Sequence, residues 1–180
     1  MRVVEQADEH SPDDLIRLFN AEFQDSENTV LVRGGDEPIY LPADAESPLH
    51  RVVFAHGFYA SALHEIAHWC IAGPERRKLV DYGYWYKPDG RSAEEQVEFE
   101  RVEVKPQAVE WGLAIAAGFR FDVSVDNLSG IPIDRAGFRR RVHAQLCVYH
   151  RDGFPPRAQR LMRRLHEFYG TRFELPALPL

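Results

Sequence analysis

One stretch constrains this chain more than any other. From Phe58 to Ile71 the residues are apolar on nearly every side of a helix. A helix of that kind is buried inside a fold rather than laid on its surface. Gly73-Pro74 closes it, a usual helix stop. Yet the same stretch carries His64, Glu65 and His68 in the run His-Glu-Ile-Ala-His, with Ala60, Ala62, Leu63, Ile66, Ala67, Trp69 and Ile71 around them. Burying a carboxylate and two imidazoles without partners costs roughly several kcal/mol, and a bound cation relieves that cost.

Residues four apart lie on one helix face, one turn from each other, so His64 and His68 can aim two imidazoles at a single point. Glu65, beside the first histidine, is within reach of a water on such a metal; in hydrolases of the His-Glu-x-x-His pattern that glutamate is the general base. The pattern also has a plain reading, two histidines packed against core and an exposed glutamate. The apolar surroundings favour the metal.

Two histidines leave a third position, for which a carboxylate is the natural occupant. Ser92-Ala93-Glu94-Glu95 has the Ser-x-x-Glu form that opens a helix, and this long helix offers Glu98, Glu100, Glu103 and Glu110. Gln96, Glu100, Glu103 and Gln107 form one polar stripe along it, usually a solvated face. The helix runs on into Val109–Ala117, which must be buried, so part of the stripe is expected to face inward. Glu103 is the expected third ligand, with Gln107 one turn on to orient it and Glu100 in reserve. Pro106 is expected to kink this helix or split it in two. His56, at the end of a strand, has three possible uses (ligand, substrate contact, orienting donor) beside the ordinary one of a hydrogen-bonded core histidine. His143 is expected at the surface.

The remaining elements are short. Ser11-Pro12-Asp13-Asp14 reads as a helix start, followed by Leu15, Ile16, Leu18, Phe19 and Phe23 at helical spacing. Thr29–Arg33, Pro38–Leu41 and Arg51–Ala55 read as strands, Val80–Tyr86 and Phe121–Val125 as strand-like. Two helices close the chain, from Asp134 to about His150 and from Arg157 to Tyr169. Strands early and helices late predict an α+β fold, a small sheet of short strands packed with several helices. The 180 residues fit a single domain, 1–180.

Composition excludes several classes. A formal net charge of −6 argues against direct nucleic-acid binding, which needs an excess of cations. The two cysteines, Cys70 and Cys147, form no Cys-x-x-Cys pair, which argues against a thiolate zinc site or a disulfide framework. The start lacks a signal-peptide run, and no apolar stretch approaches the roughly 20 residues of a membrane span, so a cytoplasmic location is expected. Residues 134–172 hold ten arginines against Asp134, Asp152 and Glu167. They read either as two solvated helix faces or as a basic surface for an acidic partner protein.

Several runs together resemble one family. They are Asp36-Glu37-Pro38-Ile39-Tyr40-Leu41-Pro42-Ala43-Asp44-Ala45-Glu46, the long run from Val53 to Gly73 around His-Glu-Ile-Ala-His, Asp81-Tyr82-Gly83-Tyr84-Trp85-Tyr86, Pro88-Asp89-Gly90-Arg91, Val102-Glu103-Val104-Lys105-Pro106-Gln107-Ala108 and Arg140-Arg141-Val142-His143-Ala144-Gln145. This set resembles the bacterial elongation factor P hydroxylases, from about the first helix to about Tyr169. The resemblance implies a cytoplasmic enzyme that hydroxylates the β-lysylated lysine of translation elongation factor P. It also implies a non-haem iron(II) site using molecular oxygen, with His64, His68 and Glu103 as ligands. The family has cysteine where this chain has Lys87, so a thiol there is not essential. Nothing in the residues identifies the electron donor or suggests a 2-oxoglutarate pocket. Tyr82, Tyr84, Trp85 and Tyr86 either line a groove for a long lysine side chain or pack as cross-strand core.

Two other functions share the pattern. A zinc hydrolase, peptidase or nuclease, would use Glu65 as its base. A binding module with a structural metal would close the site with a fourth protein ligand.

Overall fold

A computed structural model describes residues 10–82, 90–125, 127 and 129–178. The fold is α+β: helix α1 (Pro12–Glu27), strands β1 (Thr29–Arg33), β2 (Ile39–Leu41) and β3 (His50–Phe54), then helices α2 (Tyr59–Ile71), α3 (Ala93–Ala117), α4 (Arg135–Asp152) and α5 (Pro156–Tyr169). The strands form one sheet in the order β1-β3-β2. β1 runs parallel to β3 with Leu31 opposite Val52, and β2 antiparallel with Tyr40 opposite Val52.

Local signals set the helix ends. Ser11 caps α1 by accepting from Asp13 N–H at 3.2 Å, with Pro12 at the first helical position. Ser92 and Glu95 form a reciprocal capping box at the start of α3. Gly118, at φ 65°, ends that helix in the left-handed conformation that costs glycine least.

The core joins all the layers. Leu15, Phe19 and Phe23 of α1 meet Leu31, Val52 and Phe54 of the sheet and Ala62, Leu63, Ile66 and Ala67 of α2, all buried. Trp69 closes the α1–α2 contact edge-on, its ring 5.1 Å from Phe19 and 4.9 Å from Phe23. On the other side α2 packs on α3, which carries α4 and α5 behind it. The helix with the two histidines is thus sandwiched between the sheet and a second helix, as its composition required.

Three expectations need correction, and a fourth lies mostly outside the described residues. The long helix is not split at Pro106, which sits inside an unbroken α3. An interior proline costs about 3 kcal/mol, and the buried residues of this helix from Glu103 to Ala117 hold both halves in place. Phe121–Val125 forms no strand among the described residues. Its backbone is satisfied by a side chain instead: Gln107 donates to Ser124 C=O at 2.7 Å and accepts from Ser124 N–H at 2.9 Å. Of Val80–Tyr86, Asp81 makes a single bridge to Tyr40 and Tyr82 is exposed, while Tyr84, Trp85, Tyr86 and Lys87 lie outside the described residues. His143 is half-buried, its Nε2 bonded to Pro176 C=O at 2.6 Å and its ring edge-on to Trp111.

Much of the arginine-rich segment is knitted into the chain itself. Arg160 and Arg164 both hold Glu22, Arg135 and Arg139 hold Asp122, and Arg141 pairs with Glu100. Arg157 lies over the Trp69 ring and donates to the carbonyls of Cys70 and Ala72. That places a guanidinium charge and two donors at the C-terminus of α2. A docking role for the basic segment therefore loses Arg160 and Arg164. No helix among the described residues is long and apolar enough to cross a membrane.

Candidate metal centre

β3 hands the chain to α2 through two left-handed residues, His56 at φ 58° and Gly57 at φ 66°. Non-glycine residues rarely adopt that conformation. The turn drops α2 directly behind the sheet, and one turn of it presents His64 and His68 on the face toward α3, their ring centroids 4.8 Å apart.

α3 supplies the acid. Glu103 is 1% exposed, and its two oxygens divide between the imidazoles: Oε1 is 3.0 Å from His68 Nε2 and Oε2 is 3.9 Å from His64 Nε2. One donor atom from each of His64, His68 and Glu103 lies within 4.8 Å of the others. Donors that share one ion at about 2.1 Å stand about 3–4 Å apart; the 3.0 and 3.9 Å approaches of Glu103 fall in that range, and the three residues make a candidate site for one divalent cation. Gln107, fully buried, donates to Glu103 Oε2 at 3.1 Å and is itself fixed by Ser124. That is the orienting role expected for it one turn along.

The other candidates go elsewhere. Glu100 accepts from Gln96 and Arg141, and Glu98 pairs with Arg101 on the surface. His56 is neither a ligand nor a core residue: its exposed ring stands 4.0 Å from Asp36.

Glu110 is the residue whose part was not foreseen. Its Oε2 lies 2.8 Å from His64 Nδ1, the ring nitrogen turned away from Glu103. Residues 103, 107 and 110 follow one another at spacings of four and three, so the signal was one helix face. What sequence did not show was that this face meets His64.

Electrostatics follow from burial. Burial works against charge on His64, but Glu110 at Nδ1, then Glu103 and Glu65, outweigh it and push its pKa up to about 10 in the metal-free protein. Burial pushes the Glu65 carboxyl above its ordinary range, while His64 and His68 pull the other way. Glu65 lies between two openings. One is a cleft of about 380 Å³ lined by His64, Glu110, Ser61 and Ser124, with His56 and Asp36 at its edge. The other is a small cavity of about 30 Å³ beside His68, lined by Tyr40, Val52, Trp69, Arg77 and Asp81.

An α+β fold with two imidazoles and one buried carboxylate converging beside a cleft defines a candidate mononuclear metalloprotein. Comparison with known sequences sharpens the class. The sequence profile of the family described as elongation factor P hydroxylase matches residues 18–177. A curated relative from Haemophilus influenzae, elongation factor P lysine hydroxylase, is 56% identical over 167 residues, covering 93% of this chain and 94% of the relative. This chain belongs to the elongation factor P hydroxylase family.

Proposed function

We propose that this chain hydroxylates the β-lysylated lysine of elongation factor P in the cytoplasm, acting as one domain with iron(II) held by His64, His68 and Glu103. The observation that carries the reading is the convergence of those three side chains on a chain of this family. Two histidines and one carboxylate are the donor set of non-haem iron oxygenases, leaving open positions on one side of the metal. When bound, iron supplies the redox chemistry that puts an oxygen atom from dioxygen into a carbon–hydrogen bond.

The protein's part is placement. α2 holds the two rings in register, and Gln107 fixes the carboxylate that completes the set. The cleft beside His64 is large enough for an extended aliphatic side chain, and Asp36 and Glu110 along it suit the ammonium groups of a lysine bearing a second lysyl unit. Glu65 has no hydrogen-bond partner among the described residues, and burial favours its protonated form. In this reading Glu65 holds or delivers a proton during turnover.

The test is intact-mass analysis of β-lysylated elongation factor P after incubation with iron-loaded enzyme, oxygen and a reductant. The expected product gains one oxygen atom, and His68→Ala and Glu103→Gln enzymes yield none. An unmodified mass from enzyme with verified iron would overturn the proposal.

A further inference from the structure

Glu110 stands outside the three-residue donor set yet touches one member of it directly. An ionised carboxylate can only accept, so the contact of Glu110 Oε2 with His64 Nδ1 at 2.8 Å places the ring proton on Nδ1. In the neutral ring, the form that binds a metal, the lone pair is then on Nε2, the nitrogen that faces Glu103. Glu110 is buried, on the same helix as Glu103, and meets the ring nitrogen opposite the one that faces Glu103. That position makes it unsuited to be a fourth ligand on the same ion. His68 differs: among the described residues no carboxylate approaches its Nδ1, and Glu103 meets its Nε2.

We infer that Glu110 is a positioning residue that fixes the tautomer and orientation of His64, so that Nε2 is presented to a divalent metal. This rests on the metal reading given above. A buried carboxylate on the far nitrogen of a ligating histidine locks the ring and strengthens its basicity, and its loss typically weakens metal binding about 10–100-fold. His64 is the locked imidazole of the pair and His68 the adaptable one. Glu110 also lines the cleft, so the same side chain ties the metal site to the wall along which a substrate would enter.

The experiment titrates metal-free protein with cobalt(II), reading the affinity by chelator competition and the ligand-field absorbance directly. Glu110→Met keeps the shape and removes the acceptor; Glu110→Gln keeps an amide oxygen that can still take the Nδ1 proton. Glu110→Met is expected to bind cobalt about 10–100-fold more weakly with altered absorbance, and Glu110→Gln to fall between it and wild type. Wild-type affinity and spectrum in both variants would overturn the assignment. Equal losses in both would overturn it as well, since they would trace the effect to charge alone. Failure of the unaltered protein to bind cobalt, or wild-type binding by His64→Ala, would remove the metal site and the inference together. Glu110→Gln carries the test if Glu110→Met does not fold.

Discussion

Gln107 and Glu103 stand one turn apart on α3 and share a buried hydrogen bond of 3.1 Å from the amide to the carboxylate. The same amide brackets Ser124, donating to its carbonyl and accepting from its N–H. One side chain thus fixes the acid of the candidate metal site and anchors the extended segment that covers it.

Replacing Gln107 by Leu removes these three bonds and leaves both backbone groups of Ser124 without partners. At about 0.5–1.5 kcal/mol for each bond lost, with Ser124 itself exposed, the loss should total about 2 kcal/mol in urea denaturation of the metal-free protein. A change below about 1 kcal/mol would mean that Ser124 finds water instead.

The His64 imidazolium gives metal-free protein a definite pH response. Its pKa is raised from 6.5 to about 10, so the stability it contributes is fully present below pH 6.5 and is lost as pH rises through about 10. Wild type should therefore exceed His64→Gln in stability most clearly near pH 6, with the gap closing toward pH 10. Metal competes with that proton, so cobalt affinity should rise over the same range. A gap that widens with pH would contradict this ionisation.

Substitution of Glu65 by Gln separates proton handling from metal holding. The variant is expected to keep wild-type metal content by elemental analysis while hydroxylation slows about 100-fold, the usual scale for losing a general acid or base. Loss of the metal in this variant would instead make Glu65 a ligand.

Arg160 ties α5 to α1. It meets Glu22 at 2.8 Å and Glu27 at 3.1 Å, donates to Ser26 and lies over the Phe23 ring. Burial works against charge on Glu22, but hydrogen bonds from Arg164 and Arg160 reverse this and hold its pKa below the ordinary 4.5. The resulting stability is present above pH 4.5 and lost as pH falls through the lower folded value. Arg160→Ala should destabilise the protein by about 2 kcal/mol at pH 7 and flatten its acid unfolding, whereas Arg163→Ala, on an exposed position, should do neither. Equal effects of the two would mean that the network contributes nothing.

Gly112 lets α3 approach Phe154. A methyl group there would stand 2.4 Å from Phe154 Cε1 and 2.7 Å from Cζ, and the ring is buried against Tyr149 and Phe173. Alanine is the better helix former by about 1 kcal/mol, but overpacking costs about 1–3 kcal/mol. Gly112→Ala should lower the melting temperature; a rise would show that the ring moves aside freely.

Much of this molecule is legible in its sequence. The helix of His64 and His68 announced its burial through its apolar neighbours, and the capping serines at 11 and 92 and the glycines at 118 and 170 marked their ends, because those signals act within a few residues. That the acid would come from the stripe of Glu100 and Glu103 followed from polar residues running into apolar sequence. Local signals misled where distant contacts prevailed: Pro106 did not break α3, Phe121–Val125 found a side chain in place of a strand, and Arg160 turned inward to Glu22.

From its order of residues alone, the chain determined that two imidazoles would share a buried helical face and that an acid would ride on a second helix. Only the tertiary structure decided which glutamate met them, that Gln107 would hold it, and that Glu110 would take the other nitrogen of His64. Spacing along one helix is dictated by its pitch, whereas the approach of one helix to another depends on how the whole core packs.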